Sequence, residues 1–325
     1  MSQKFVFGKL FVLCTVLTLS SVTSLAGLPG LASTYTRHLS GTRARIAKSQ
    51  LLNTQTPKTC HQQILDISQD GQIDIMMAFG YMDVSLGQEF EDTASSLYGP
   101  GDVLDLDAKE AMENMLLSSC RQLRNFACGF RRSGDVFVKT IRDRFTGKRL
   151  KVSVTLKAPS ASASDQKNRS TLANKQAQLS ENTRRHFLSA VQTHDVVIYM
   201  GHARSGGGPD FLPPVLTNNG YVNYGHYKSQ QKGIRDLLGA LQSAPRPPKV
   251  VGLLACKSTG LFAQRVRRAS PSSILVTADN LFDYNDILPT GYAMLEAAIS
   301  QRCTQSFEDL VKIQPASQHF LRLFL

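Results

Sequence analysis

The chain has 325 residues, 42% of them apolar, and a formal net charge of +12. This excludes a chain too polar to bury a core and allows one large domain or two small ones. The basic residues are dispersed apart from short clusters at Arg43/Arg45, Arg131-Arg132, Arg142 to Arg149 and Arg265/Arg267-Arg268, and no basic stripe interleaves with aromatics, so no specific nucleic-acid partner is expected.

The N-terminus reads as an export signal. Lys4 and Lys9 flank an apolar stretch, Leu10 to Leu17, and Ser24-Leu25-Ala26 has small residues at both ends, as signal peptidase prefers. Residues 1–26 are expected to be removed, leaving a periplasmic or extracellular protein. Cleavage takes two lysines and no acid, so the net charge falls from +12 to +10. The apolar stretch is too short to span a bilayer, and no later stretch approaches that length. No stable membrane insertion is therefore expected after cleavage. Five cysteines then remain: Cys60, Cys120, Cys128, Cys256 and Cys303. An odd count in an exported protein suggests disulfides plus one thiol, and Cys256 is the natural odd one out. The other four leave three pairings open.

Residues 27 to about 58 are rich in Ser, Thr, Gly and basic residues and read as an arm or linker. Gln72 to Met82 carries a strand signal. Leu106 to Leu123 has helical spacing, with Ala111, Met112, Met115, Leu116 and Leu123 on one side and Asp105 placed as a cap. Residues 27–129 thus read as an arm with an accessory or pro-segment, and 130–325 as the main domain. Asp135 to Ile141 and Leu150 to Leu156 alternate apolar and polar residues about Thr146-Gly147-Lys148, as in a hairpin. A Ser/Ala/Pro loop, a helix over 172–191 and a strand over 195–200 follow. Residues 201–225 form a long Gly/Pro/Asn-rich loop, a length that in compact domains is usually functional or disordered. A helix over 228–243, a strand over 249–255, a short helix over 260–268, a strand over 272–278 and a helix over 291–300 come next. The tail, 307–325, reads as a last helix with a strand or turn. Strands alternating with helices predict an α/β fold with a mainly parallel sheet covered on both faces.

Two apolar runs end in reactive residues. Val196-Val197-Ile198-Tyr199-Met200-Gly201 leads to His202, and Val250-Val251-Gly252-Leu253-Leu254-Ala255 leads to Cys256. A parallel sheet with a helix between these strands sets both side chains at the carboxyl edge, where α/β folds place their ligands. An imidazole beside a thiol can draw off its proton, and the thiolate attacks a carbonyl. His202 would serve as base and then protonate the leaving amine. Backbone N–H groups of Ala203 and Cys256 are the expected oxyanion donors. His186, His194 and His226 are rival bases; the first two fall at the wrong end of their elements.

A strand ending in Gly-His, a helix, then a strand ending in Ala-Cys resembles the caspase, legumain, gingipain and clostripain group of cysteine peptidases. The resemblance covers about Leu150 to Ser300. It implies a three-layer caspase-like sandwich, His202 and Cys256 as the catalytic pair, a peptide or protein substrate, one preferred P1 side chain and no cofactor. The sequence departs from the pattern at Ala203, where the group usually has Gly; alanine resists positive φ. By the same resemblance the P1 pocket draws on Lys157 and Ser160, then Arg204, then Asp279 with Asp283 and Asp286 further on. An acidic floor at Asp279 would favour Arg or Lys at P1, whereas Lys157 or Arg204 would favour Asp or Glu. The reading leans to a basic P1.

Other motifs fail on their spacing. Lys257-Ser258 lacks the glycines of a phosphate loop, and Ser205 lacks a Gly two residues earlier for a nucleophile elbow. No His or Cys pair has zinc spacing, and Asp102, Asp105 and Asp107 do not continue as a calcium loop. No metal is expected. The alternatives to a peptidase are an inactive caspase-like binding module acting through the 201–225 loop, and a basic extracellular protein that binds polyanions.

Overall fold

The computed structural model describes residues 30–52, 67, 70–83, 103–120, 126–142, 147–281, 284–300, 304–313 and 321–324. Eight strands form one sheet: β1 (Gln72–Phe79), β2 (Arg131–Ser133), β3 (Val136–Arg142), β4 (Arg149–Lys157), β5 (Val196–Met200), β6 (Val250–Leu254), β7 (Ile274–Ala278) and β8 (Leu321–Phe324). Their order across the sheet is β2-β3-β4-β1-β5-β6-β7-β8. The run β4-β1-β5-β6-β7 is parallel; β2, β3 and β8 add antiparallel edges. Covered on both faces, β5 and β6 are apolar throughout, and every residue of both is buried.

Two helical layers cover the sheet. On one face lie α1 (Leu31–Leu52), α2 (Asp105–Leu117), α8 (Tyr284–Ile299) and α9 (Thr304–Val311), packed over Ile73, Ile75, Ile198 and Leu254. On the other lie α4 (Ala173–Thr193), α6 (Lys232–Ser243) and α7 (Gln264–Ala269), over Val197, Tyr199, Val251 and Leu253. Short helices α3 (Asp165–Arg169) and α5 (Tyr224–Gln230) sit in the connections. Each large apolar side chain buried this way contributes about 1.5–3 kcal/mol. The molecule is the three-layer α/β sandwich expected from the alternation of elements.

Several boundaries differ from expectation. The sheet does not divide at residue 130: β1 lies in its middle, between β4 and β5, so this strand is no part of an accessory segment. Residues 31–52 form α1 rather than a linker, with Tyr35, Leu39, Thr42 and Ile46 buried along one stripe. α2 ends at Leu117, and Asp105 does not cap it: the N-cap is Leu104, and the Asp105 carboxylate instead accepts from Ser160. The helix expected over 228–243 is two, α5 and α6, broken at Gln231, which has φ +45°. Cys120 and Cys128 form a disulfide. The 1–26 signal, Cys60, Cys303 and Asp283 lie outside the described residues.

Candidate active site

β5 and β6 run in parallel register with Met200 opposite Leu254, and Gly201 N–H extends the ladder to Leu254 O at 3.1 Å. His202 and Cys256 each follow two residues beyond that pair. They leave the carboxyl edge from neighbouring strands. Cys256 is a half-buried thiol, and the His202 side chain is 19% exposed.

Three side chains fix His202. The Tyr284 hydroxyl, at the start of α8, is hydrogen-bonded to Nε2 at 2.8 Å. Asp83 Oδ1, beyond the end of β1, lies 3.5 Å from the same nitrogen. Arg204 Nη2 donates to Asp83 Oδ1 at 3.2 Å, and its Nε donates to Asp210 Oδ2 at 3.2 Å. Burial alone would raise the Asp83 carboxyl, but the Arg204 charge and His202 outweigh it and hold the group at about 2. Asp83 is therefore a buried carboxylate at neutral pH. Burial and the Arg204 charge lower His202, against the opposing pull of Asp83. The imidazole is thus held in its neutral form. Burial raises the Tyr284 hydroxyl well above its usual range, so it stays protonated; this hydroxyl also lies within electrostatic reach of Cys256.

The loop after His202 is held from below. Tyr199 Oη accepts from Asp210 N–H and donates to His202 O, both at 3.0 Å. This hydroxyl passes beside two glycines. A Cβ on Gly80 would stand 2.5 Å from Tyr199 Oη, and one on Gly201 would stand 2.7 Å from it and 2.9 Å from Gly80 Cα. Ala203 takes φ −75° and ψ −16°, so alanine there is unstrained. The left-handed residues come next, Arg204 at φ +46°, Ser205 at +50° and Gly206 at +94°.

The Cys256 turn is fixed by its neighbours. Lys257 has φ +53° and donates its N–H to Asn280 O at 2.8 Å. Ser258, fully buried, donates to Leu253 O at 2.7 Å and accepts from Ala278 N–H at 2.9 Å, bridging β6 and β7. A helical run over 259–269 starts just beyond.

The pocket candidates separate. Arg204 is buried and engaged by two carboxylates, and Ser160 is buried against Asp105; neither presents itself to a ligand. Lys157 pairs with Asp135 at 2.6 Å, and Asp279 pairs with Arg322 at 2.5 Å with 27% of its side chain exposed. Asp286 lies half-buried in the first turn of α8. His186 and His226 are exposed on α4 and α5, and His194 caps the far end of α4. Asp83, Asp210 and Tyr284 were not singled out from sequence. A signal for Asp83 existed: it is the first acid past the strand read at Gln72 to Met82. No family model, curated protein or solved structure matches the chain.

Proposed function

We propose that this protein is an exported cysteine endopeptidase, with Cys256 as nucleophile and His202 as acid/base. The single observation that carries the reading is the placement at the carboxyl edge: a half-buried thiol two residues beyond β6 and a neutral, buttressed imidazole two residues beyond the neighbouring β5. Nε2 of His202 is engaged by Tyr284 and Asp83, so Nδ1 is the nitrogen left to serve the thiol. His202 takes the thiol proton, and Asp83 stabilises the imidazolium that forms, as in triads generally. The thiolate attacks the scissile carbonyl. The tetrahedral intermediate collapses as His202 returns the proton to the leaving amine, and water hydrolyses the thioester. Ala203 and Cys256 N–H are the oxyanion donors in this scheme. The three-layer sandwich, with the His strand, a helix and the Cys strand in that order, fits the resemblance to caspase-like peptidases. Asp279 is the acid that would receive a basic P1 side chain, exchanging Arg322 for the substrate cation.

Hydrolysis of a fluorogenic peptide library varied at P1 tests the reading. Turnover is expected with Arg or Lys at P1 and should vanish in Cys256→Ala. Turnover that survives Cys256→Ala would assign the activity to another group.

A further inference from the structure

Large apolar side chains are exposed in a narrow region. Among the described residues the exposed ones are Leu117, Leu212, Val215, Leu216, Tyr221, Tyr224 and Leu281. Four of these seven lie in the single loop that leaves β5 through His202, and a fifth, Tyr224, opens α5 at the end of that loop. A sixth, Leu281, follows Asn280, whose carbonyl accepts from the Lys257 N–H next to Cys256. A chance scatter of surface apolar residues would not favour the two loops that flank one pair of strand ends.

The hairpin is built, not loose. Leu216 and Val222 form an antiparallel bridge, Thr217 N–H donates to Tyr221 O and Asn223 N–H donates to Val215 O, both at 2.7 Å. Gly220 turns the tip at φ +83°. Arg169 Nη1 holds Pro214 O at 2.9 Å, and Tyr227 Oη accepts from Val215 N–H at 3.0 Å. Tyr227 in turn lies under the Arg204 guanidinium at 5.8 Å, and a Cβ on Gly207 would stand 2.9 Å from Tyr227 Cβ. One continuous set of contacts therefore joins the hairpin to Arg204, Asp83 and His202. Ordering this segment in advance lowers the entropic cost of binding to it.

The segment also has a distinct charge. In a chain that is 19% charged, no Asp, Glu, Lys or Arg occurs between Asp210 and Lys228. Exposed Leu, Val and Tyr on a rigid hairpin that itself carries no Asp, Glu, Lys or Arg favour apolar and aromatic side chains over a charged one, which would lose water without an ion-pair partner.

We propose that the 212–224 hairpin, with Leu281 across the edge, is a docking rim for an extended peptide whose residues flanking the scissile bond are uncharged and apolar. This rests on the peptidase reading for its substrate, though not for its binding chemistry. The P1 side chain is separate, since on the peptidase reading it goes to Asp279.

The test uses the full chain carrying Cys256→Ala, so that bound peptide is not consumed. Two sets of fluorescein-labelled ten-residue peptides are compared by anisotropy, with Leu, Val and Tyr or with Asp and Lys around a constant centre. The apolar set is expected to bind at least about ten-fold more tightly, and Leu216→Ser/Tyr221→Ser/Tyr224→Ser to remove that advantage. Leu281→Ser alone should remove part of it. Equal binding of both sets, unchanged binding in the triple variant, or no binding at all overturns the rim. So does a sedimentation mass that falls from dimer to monomer in the triple variant, since the hairpin would then be covered by a second copy. If the rim binds apolar peptides but the Cys256 protein cleaves none of them, the peptidase reading fails and the rim stands. If cleavage occurs with no preference between the sets, the rim fails and the peptidase reading stands.

Discussion

Asp83 Oδ1 stands 3.5 Å from His202 Nε2, although the two residues leave different strands, β1 and β5, which pair directly in the middle of the sheet. The contact is possible because Arg204, itself buried, supplies the counter-charge that keeps Asp83 ionised without water. A buried carboxylate lacking that partner would be protonated. The arrangement gives His202 a fixed ring and a charge to lean on when it becomes imidazolium.

Asp83→Asn keeps the shape and removes the charge. On the peptidase reading kcat should fall by up to about 10⁴-fold with KM little altered, the loss that follows when a triad acid is neutralised. Steady-state kinetics on one cleaved peptide measures this. A kcat within two-fold of the parent would remove Asp83 from the mechanism.

The acid limb of the pH profile follows from the direction of the His202 shift. Burial and Arg204 lower its pKa from the ordinary 6.5, so the active limb of kcat/KM should extend below that pH. Asp83 works in the opposite direction, holding His202 up. In Asp83→Asn the limb should therefore move further down, not up. An upward shift would contradict the electrostatics.

Two buried acids make stability fall as pH rises from about 4.5 through 7, outweighing the opposite sign of His202, whose lowered value costs stability as pH falls below 6.5. Burial raises both Asp105 and Glu296 to about 7, against ordinary values of 3.8 and 4.5. Each is protonated in the fold over a range in which the unfolded chain has lost its proton, so raising pH favours unfolding until the folded value is passed. Asp83 has the reverse sign: its contribution is present above its ordinary 3.8 and is lost as pH falls toward about 2. Tm should be higher at pH 5 than at pH 8, and Glu296→Gln should flatten that difference. A Tm that rises across this interval would refute the assignment.

Ser258 carries the Cys256 turn. Ser258→Ala leaves Leu253 O and Ala278 N–H buried without this partner, a cost of about 1–3 kcal/mol. Thermal unfolding should show the loss, and alkylation of Cys256 should change in rate because its turn is no longer tied to β7. Unaltered Tm would mean that the bridge contributes nothing.

Legibility followed burial on two faces. β5 and β6 were readable because, covered on both sides, they are apolar at every position, and the reactive residue then stands out as the first polar group past the run. α1 was not, because its buried stripe includes Thr42 and its other faces carry Ser, Thr, Arg and Gly. Arg204 looked like a surface charge available to substrate; its two carboxylate partners, one of them Asp83 from another strand, draw it inside. Pairing across strands is set by topology, and a single sequence does not display which acid will face which base. Position 203 illustrates the same limit. A glycine was expected from the resemblance, but the loop places its positive φ values one residue later, where Arg204 adopts one and is held by two ion pairs.

The most direct test is covalent trapping of the thiol. The purified, reduced protein is incubated with peptidyl acyloxymethyl ketones bearing basic, acidic and apolar P1 residues, and adducts are mapped by mass spectrometry. One adduct at Cys256 is expected, formed fastest with a basic P1, absent in Cys256→Ala and slowed by at least about 10²-fold in His202→Ala. A folded, reduced protein that gives no Cys256 adduct with any P1, or one that labels equally fast without His202, would contradict the peptidase reading.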